Sequence, residues 1–467
     1  MAMGKRKRKV FQQSMWVATQ DLPKSASHPF YAAMNGILDK NGFDDYVERA
    51  CAAFYASTMG RPGLAPGRYF RLLMLGFFEG IESERGIAWR AADSLSVRAF
   101  LGLELDEPPP DHSTISRTRR LIDLETHQAV FIWMLERLSE AGLVNGKTVG
   151  VDATTLEANA ALRSIVRRDT GESYQAFLMG LAQASGIATP TREDLARLDR
   201  KRPKKGSNDD WTHPQDPDAR ITKMKDGRTH LAHKAEHAVD LETGAVVAVT
   251  IQPADKGDTE TVKETLITAA ENVEKVNAEG DGVRELVTDK GYHSNELLKD
   301  LRDLGIRTYI AEPTRGRRNW QDNPEAREAV YANRRRIRAK RGRRLLRKRG
   351  EYLERPFAHA YETGGLRRVY LRGRVNILKR VLIHVAALNL GLLIRVLVGV
   401  GTPRSLQGRL GALFSRLIIV WHPLSNLCLF RWRASALSQT MIIVIPAVLC
   451  FRSSQPSLNK NALEEQP

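Results

Sequence analysis

The residues TVGVDATT at positions 148–155 decide the fold class of this chain. They form a short apolar run that leads into one acid, Asp152, and they mark a change from helical to strand spacing near Lys147. A second run, ELVTDKGYHS at 285–294, has the same form, because its apolar residues lead into Asp289 and a glycine turn follows. Both runs predict short buried strands that end at a carboxylate.

The sequence around these runs predicts a mixed α/β sheet. Residues 229–255 have the pattern of a hairpin with its turn at LETGA, and a helix, a strand, a second helix and a last strand follow before residue 314. The order strand, hairpin, helix, strand, helix, strand is typical of a mixed sheet covered by helices. An insertion from about 160 to 228 has no strand pattern, and we expect it to begin as a helix and to become a loop near residue 200.

The residues before this sheet are predicted to form a small all-α domain, since apolar side chains recur at helical spacing. Asp111 or Ser113 can cap a helix that is expected to continue unbroken to about residue 138. Its first turns carry Arg117, Arg119 and Arg120, which suit a DNA-binding surface. An ordinary amphipathic helix with a basic outer face explains these arginines equally well.

The charge of the chain is uneven. Its 467 residues carry a formal net charge of +18, and residues 334–349 contain eleven basic residues and no acid. No Asp or Glu occurs from 363 to 463. This pattern favours a polyanionic partner, with nucleic acid preferred over a membrane.

Two further features limit the class of protein. Three widely separated cysteines exclude a disulfide framework and a cysteine zinc cluster, and they suit a reducing, intracellular setting. The longest apolar run, 381–401, is interrupted by His384, Asn389 and Arg395. Because a charge at mid-bilayer depth is costly, this run predicts a buried helix rather than a membrane span.

Asp152 and Asp289 are the best candidates for a catalytic metal site. Each follows a short apolar strand, and sites in open α/β sheets are built at the carboxyl ends of strands. Oxygen ligands of this kind suit Mg²⁺, and a third carboxylate would complete a two-metal site for phosphoryl transfer. Glu351 and Glu354, directly after the eleven-charge run, are the candidates for the third ligand.

These motifs resemble those of bacterial insertion-sequence transposases of the Asp-Asp-Glu (DDE) class. The resemblance rests on VGVDATTLEANAALRSIVRRDTGESY, on LVTDKGYHS and on LERPFAHAYETGG followed by LRG. It extends to residues 60–103 and PPPDHSTISRTRR, which are similar to the N-terminal helical domain of that group. It implies a ribonuclease-H-like catalytic fold in which Asp152, Asp289 and Glu354 match the three family carboxylates.

The surroundings of Glu354 depart from the family pattern. Related transposases often place Tyr, Arg and Lys at seven and four residues before this glutamate and seven after it, where this chain has Arg347, Gly350 and Tyr361. Glu351 therefore stays open as the alternative ligand. Pro356 is tolerated in the first turn of a helix but not deeper, so we expect Glu354 to lie near a helix start.

The resemblance implies an enzyme with two Mg²⁺ ions, replaceable by Mn²⁺, held by Asp152, Asp289 and Glu354. It would cut the ends of an insertion sequence and join the freed 3′-OH to target DNA. The expected partners are double-stranded DNA and a second copy of the chain or a larger synaptic complex, in the bacterial cytoplasm at the nucleoid and without a membrane. The alternatives are a ribonuclease-H-like nuclease without strand transfer and a DNA-binding repressor derived from an inactive transposase.

Three segments are expected: a DNA-end-binding domain at 1–145, the catalytic domain with its basic insertion at 146–402, and a basic, apolar tail at 403–467. The tail has no clear pattern, and one hypothesis is that a frameshift or read-through altered it. The residues predicted to bind DNA are Arg117, Arg119, Arg120, Arg334, Arg335, Arg336, Arg338, Lys340, Arg341, Arg343, Arg344, Arg347, Lys348 and Arg349.

Overall fold

The computed structural model describes residues 28–56, 62–202, 206–224, 226–314, 320–321 and 323–406. Nearly all of the predicted C-terminal tail lies outside the described residues, so the hypothesis of an altered ending stays a prediction. Before the first strand, the described residues form the helices α1 (Pro29–Lys40), α2 (Phe43–Cys51), α3 (Pro66–Glu79), α4 (Glu84–Asp93), α5 (Leu95–Phe100), α6 (His112–Leu121) and α7 (Leu124–Glu140).

The helical region is organised around α3, which is buried along almost its whole length. A helix that is apolar on all sides is stable only inside a core. The helices around it begin at capping side chains, since the hydroxyls of Ser83 and Ser94 accept hydrogen bonds from the main-chain N–H groups of Gly86 and Val97.

The single long helix expected after Asp111 is in fact two helices. Asp111 does cap α6, as predicted, by accepting from the N–H of Ser113. The chain then becomes extended at Ile122, and the carboxylate of Asp123 accepts from the N–H of Thr126 at 2.8 Å to begin α7. The break occurs because a buried apolar residue followed by a capping aspartate favours a new helix start over continuation.

The central sheet has the expected mixed topology. In the described residues the strands are β1 (Thr148–Glu157), β2 (Val166–Arg167), β3 (Trp211–Thr212), β4 (Arg220–Lys223), β5 (Thr229–Asp240), β6 (Val246–Pro253), β7 (Glu285–Thr288) and β8 (Arg307–Ile310). The order is β4-β5-β1-β7-β8, and β6 pairs with β5 beside β4. β1 is antiparallel to β5 and parallel to β7, which is parallel to β8. The fold is therefore mixed α/β and ribonuclease-H-like, as predicted.

Helices cover both faces of the sheet. After β1 the chain forms α8 (Tyr174–Ala184), α9 (Arg192–Lys201), α10 (Asp258–Val276), α11 (Asn295–Asp303), α12 (Pro324–Arg338), α13 (Lys340–Phe357) and α14 (Arg374–Val398). Adjacent residues of β5 show the two faces, because Glu236 bonds to threonines of α10 whereas His237 contacts Phe357 of α13.

The insertion differs from its prediction. It contains the short strands β2, β3 and β4, and its first helix, α8, begins only at Tyr174. A small separate core of Ala158, Ile165, Trp211, Ala219 and Leu231 holds it together. Strands of two residues are too short to have a readable alternation, which is why the sequence pattern missed them.

The apolar run 381–401 lies mainly in α14. The segment Arg374–Ser405 is long and apolar enough to cross a membrane, but 67% of its most apolar window is buried inside the protein. The ammonium group of Lys379 donates to the main-chain oxygens of Arg119 and Ile122, and Asn389 pairs with the main chain of Val246 in β6. α14 is thus a core helix that joins the helical region to the sheet.

Candidate active site

Asp152 and Asp289 are brought together by the parallel pairing of β1 and β7. Gly150 is paired with Val287, so two residues further along each strand the aspartates lie side by side at the same end of the sheet. Gly150 and Val287 both pack toward α13, and side chains two residues apart share a face. Both carboxylates therefore face α13, as expected from their positions after apolar strands.

A single guanidinium from α13 lies between the two aspartates. Nη2 of Arg349 is 2.7 Å from Oδ2 of Asp152 and 3.8 Å from Oδ2 of Asp289. Burial raises the pKa of Asp152, Arg349 opposes this rise, and the nearby carboxylates of Asp289 and Asp258 add to it. The site therefore concentrates negative charge and already holds one cation against it.

Asp258 is a third acidic residue at this site, and the sequence analysis did not select it. It is the first residue of α10, where an acid is favoured by the helix dipole. A methyl group in place of the hydrogen of Gly291 would lie 3.0 Å from Oδ2 of Asp258 and 3.0 Å from Oδ1 of Asp289. Nζ of Lys234 is 2.6 Å from Oδ1 of Asp258, so this carboxylate already has a cation. The only signal in the sequence was an acid directly after Gly257 at a helix start.

A buried hydrogen-bond network supports the turn that follows Asp289. The carboxylate of Glu236 in β5 is fully buried and accepts from the hydroxyls of Tyr292 at 2.9 Å, Thr261 at 3.1 Å and Thr265. Burial raises the pKa of Glu236, and the hydroxyl donors counteract this. Because Tyr292 ends the 3₁₀ turn that begins after Asp289, this network fixes the path of that turn.

Glu354 lies on α13 but away from the aspartates. Its side chain is exposed, and five residues after Arg349 it is about 140° around the helix from that arginine. Glu351 is also exposed and pairs with Arg355 at 2.7 Å. The structure thus brings Asp152 and Asp289 together and places neither glutamate beside them.

The expected position of Glu354 near a helix start is wrong. Pro356 is the second-last residue of α13, so Glu354 lies in the last turn of the helix. A π-helical segment, Ala358–Thr363, follows α13 directly. The proline thus marks the end of a helix rather than its start.

Comparison with known protein families agrees with this geometry. A family model described as a transposase domain (DUF772) matches residues 18–121, and a model described as a transposase DDE domain matches residues 201–390. The chain belongs to the DDE-class transposases. The DDE match includes Asp289 and Glu354, whereas Asp152 precedes it.

Comparison with individual proteins adds little. No curated protein matches the chain. A solved structure titled "Mos1 transposase paired-end complex with left transposon end" aligns with 66% of this chain and 82% of that chain at 10% identity. Its TM-score is 0.18, so no structural argument rests on it.

The arginines of α6 in this transposase are not equivalent. Arg117 and Arg120 are exposed. Arg119 is 5% exposed, its Nε is 2.8 Å from Glu84, and its Nη1 donates to Asn376 of α14 at 2.7 Å. Arg119 therefore connects the helical region to α14 and has its guanidinium engaged within the protein.

The eleven basic residues at 334–349 also fall into two groups, those that bind other parts of the protein and those that are exposed. Four arginines bind other parts of the protein: Arg334 binds Glu312, Arg336 binds Thr308, Arg341 binds Glu285 and Arg349 binds the aspartates. Lys348 lies over the ring of Tyr352 at 5.1 Å. The exposed remainder consists of Arg335, Arg338, Lys340, Arg343, Arg344 and Arg347.

The aspartate pair has the chemistry that a divalent cation requires. Carboxylate oxygens are the preferred ligands of Mg²⁺, and Arg349 shows that a positive charge is stable between Asp152 and Asp289. In the described residues, no group of three His, Cys, Asp or Glu side chains is close enough to hold a metal ion. Asp152 and Asp289, two of the three expected metal ligands, are thus placed to bind a divalent cation. The third, Glu354, lies on another side of α13.

Proposed function

We propose that this transposase cuts the ends of an insertion sequence and joins the freed 3′-OH to target DNA at the Asp152–Asp289 site. The observation that carries the proposal is the convergence of these two carboxylates on one cation position, filled here by Arg349. Two carboxylates that face one cation at strand ends suit phosphoryl transfer, which depends on positioning and on charge stabilisation.

We infer that Asp152 and Asp289 hold divalent cations, with Glu354 as the third ligand and Glu351 as the alternative. Two Mg²⁺ ions are proposed, and Mn²⁺ can replace them. When bound, such ions lower the pKa of a water molecule and stabilise the attacking and leaving oxygens of an in-line displacement. The resting position of Glu354 means that α13 has to turn or unwind locally for this ligand set to form.

The residues of the chain then have distinct roles. Asp152 and Asp289 would hold the divalent ions that position the reacting phosphate, and the network of Glu236 and Tyr292 holds the turn after Asp289 in place. The exposed cations of the basic run and of α6 bind DNA phosphates, which gives affinity and register but little sequence information. These exposed residues are Arg117, Arg120, Arg335, Arg338, Lys340, Arg343, Arg344 and Arg347.

The partners follow from the reaction. The proposed substrates are double-stranded element ends and target DNA, and the helical region up to residue 145 is proposed to bind the ends while residues 146–402 form the catalytic domain. Two ends have to be joined in one event, so a homodimer or a larger synaptic complex is proposed, acting at the nucleoid in the bacterial cytoplasm.

The decisive test is a cleavage and joining assay on duplexes that carry the terminal inverted repeats of the element. With Mg²⁺ present, the wild type is expected to yield nicked ends and joined products, and Asp152→Asn or Asp289→Asn to reduce both by at least about a thousand-fold. Asp281→Asn is the control, because this exposed aspartate pairs with Lys147 and lies before β7 rather than after it.

The outcomes separate the alternatives. Nicking without joined products would select a nuclease, and specific binding without nicking would select a repressor. Activity that survived in both aspartate variants would refute the assignment. Glu354→Gln and Glu351→Gln, compared in the same assay, identify the third carboxylate by which of them loses cleavage while keeping DNA binding.

A further inference from the structure

The segment Leu366–Arg372, which we call the strap, lies against the end of β1. The N–H of Glu157 donates to the oxygen of Arg367 at 3.1 Å, and the N–H of Val369 donates to the oxygen of Glu157 at 2.9 Å. Main-chain bonds of this kind fix the register of the strap on β1. These main-chain hydrogen bonds therefore set the positions from which the side chains of the strap extend.

Two glycines allow the chain to enter the strap. A Cβ on Gly364 would lie 2.6 Å from the main-chain oxygen of Ala360 and 2.6 Å from Nε2 of His384, and Gly365 has a φ of +75°. Only glycine adopts this conformation in this space without strain. The TGG motif, which has no role in the proposed chemistry, is thus explained as the turn that brings the strap to β1.

Arg367 is held on the same sheet face as Asp152. Its Nη1 donates to Oγ1 of Thr154 at 3.2 Å, and Thr154 is 6% exposed. Thr154 is two residues after Asp152 in β1, so their side chains share a face and are separated by about 7 Å along the strand. Arg367 is therefore anchored next to Asp152 on this face, and no ion pair between the two is present.

The guanidinium of Arg367 keeps donors available for a ligand. Its nearest carboxylate, Glu362, is 3.6 Å away and 61% exposed, and such a pair contributes little. Arg349, on the other hand, is already engaged by both aspartates. Arg367 is thus a cation on this face that has capacity for a further anion.

We propose that Arg367 binds the scissile phosphate of the DNA, with Thr154 holding the guanidinium in position. The proposal rests on the proposed function, since it places the reacting phosphate at Asp152 and Asp289. An arginine is suited to this role because its planar fork forms two parallel charge-assisted hydrogen bonds with phosphate oxygens.

Arg368 provides a matched control. It has the same charge one position later, but its Nε lies 3.7 Å from Glu157 and its guanidinium lies over Tyr370. Arg367→Gln and Arg368→Gln therefore remove equal charge from neighbouring positions of one segment. Arg367→Lys keeps the charge and removes the fork.

The experiment measures the affinity of the full chain for terminal-repeat duplex in Ca²⁺, which avoids turnover, using fluorescence anisotropy. Each variant is measured with a normal duplex and with one that carries a neutral methylphosphonate at the scissile position. The methylphosphonate is expected to weaken wild-type binding about ten-fold, and Arg367→Gln to weaken binding to the normal duplex by a similar factor. In Arg367→Gln the methylphosphonate should weaken binding clearly less than in the wild type, because the contact with Arg367 is already lost.

Arg368→Gln is expected to weaken binding slightly and equally on both duplexes, and Arg367→Lys to lie between the wild type and Arg367→Gln. Additive effects of Arg367→Gln and the methylphosphonate, or a wild type that does not bind the duplex, would overturn the proposal. Wild-type protein that showed the coupling but did not cleave in Mg²⁺ would support the Arg367 contact while refuting the proposed function.

Discussion

The ion pair between Arg349 and the aspartates leads to a prediction about metal binding. Arg349→Gln removes a guanidinium whose side chain is 18% exposed and that pairs with Asp152, 25% exposed, and Asp289, 42% exposed. Breaking a fully buried pair costs about 3–5 kcal/mol, and an exposed pair about 0–1 kcal/mol. For this intermediate burial we expect the metal-free variant to be less stable than the wild type by about 2 kcal/mol.

Binding of a divalent cation should restore the stability that the Arg349→Gln variant has lost. In the wild type Mg²⁺ has to displace Arg349, whereas in the variant it meets two unpaired carboxylates. A ligand at a hundred times its Kd stabilises the folded state by about 2.7 kcal/mol, which is enough to offset the loss. The free energy of unfolding of the variant should therefore approach that of the wild type as the Mg²⁺ concentration rises.

The assay is urea unfolding followed by circular dichroism, in EDTA and in increasing Mg²⁺. Arg341→Gln is the control, because Arg341 lies on the same helix and pairs with Glu285, a carboxylate that is 3% exposed and not at the site. Its loss of stability should be the same with and without Mg²⁺. A variant of Arg349 that is as stable as the wild type in EDTA, or whose loss persists in saturating Mg²⁺, would refute this account of the site.

Three other results are expected. Burial lowers the pKa of His127 to about 4 and that of His237 to about 3, so between pH 6.5 and about 4 the unfolded chain binds protons at these histidines and the folded chain does not. Stability should therefore fall on acidification, by about 2 kcal/mol per histidine at pH 5, and His127→Gln should reduce the slope of urea stability against pH. Gly364→Ala should destabilise the protein and weaken DNA binding, whereas Gly350→Ala, with no atom within 4 Å of the new methyl group, should stabilise α13 by about 0.5–1 kcal/mol in the same unfolding assay. Tyr292→Phe removes a hydroxyl donor from the buried glutamate of β5, and thermal unfolding should show a loss of about 1–3 kcal/mol together with slower cleavage.

The parts of the site that the sequence predicted are those that depend on local pattern. TVGVDATT and ELVTDKGYHS are apolar runs that lead into acids, and parallel strands place their carboxyl ends at one edge of a sheet. This was enough to predict that Asp152 and Asp289 lie together. The mixed sheet followed for the same reason, since each of its main strands has a readable apolar run.

The parts that it could not predict depend on partners far apart in the chain. Glu236 and Tyr292 are 56 residues apart, and nothing in their local sequence marks them as partners. From the sequence, any of the eleven basic residues at 334–349 could pair with the aspartates. Arg349 does so because it lies on the face of α13 that packs against the sheet. Asp123 appeared to be an ordinary polar residue within a helix until its capping bond to Thr126 was visible.

The packing of α13 also explains why the basic residues at 334–349 come shortly before Glu354 in the sequence. Leu345, Arg349 and Leu353 are spaced by four residues, so one stripe of the helix packs on the sheet and presents a cation to Asp152 and Asp289. A side chain 140° away on the same helix cannot reach that point, so the proposed ligand role of Glu354 would require it to replace Arg349 there. With Arg349 the site has a net charge of about −1, whereas the proposed three carboxylates and two divalent ions would give about +1, opposite to the single negative charge of a phosphodiester. The exchange would therefore convert a site that repels DNA into one that attracts it.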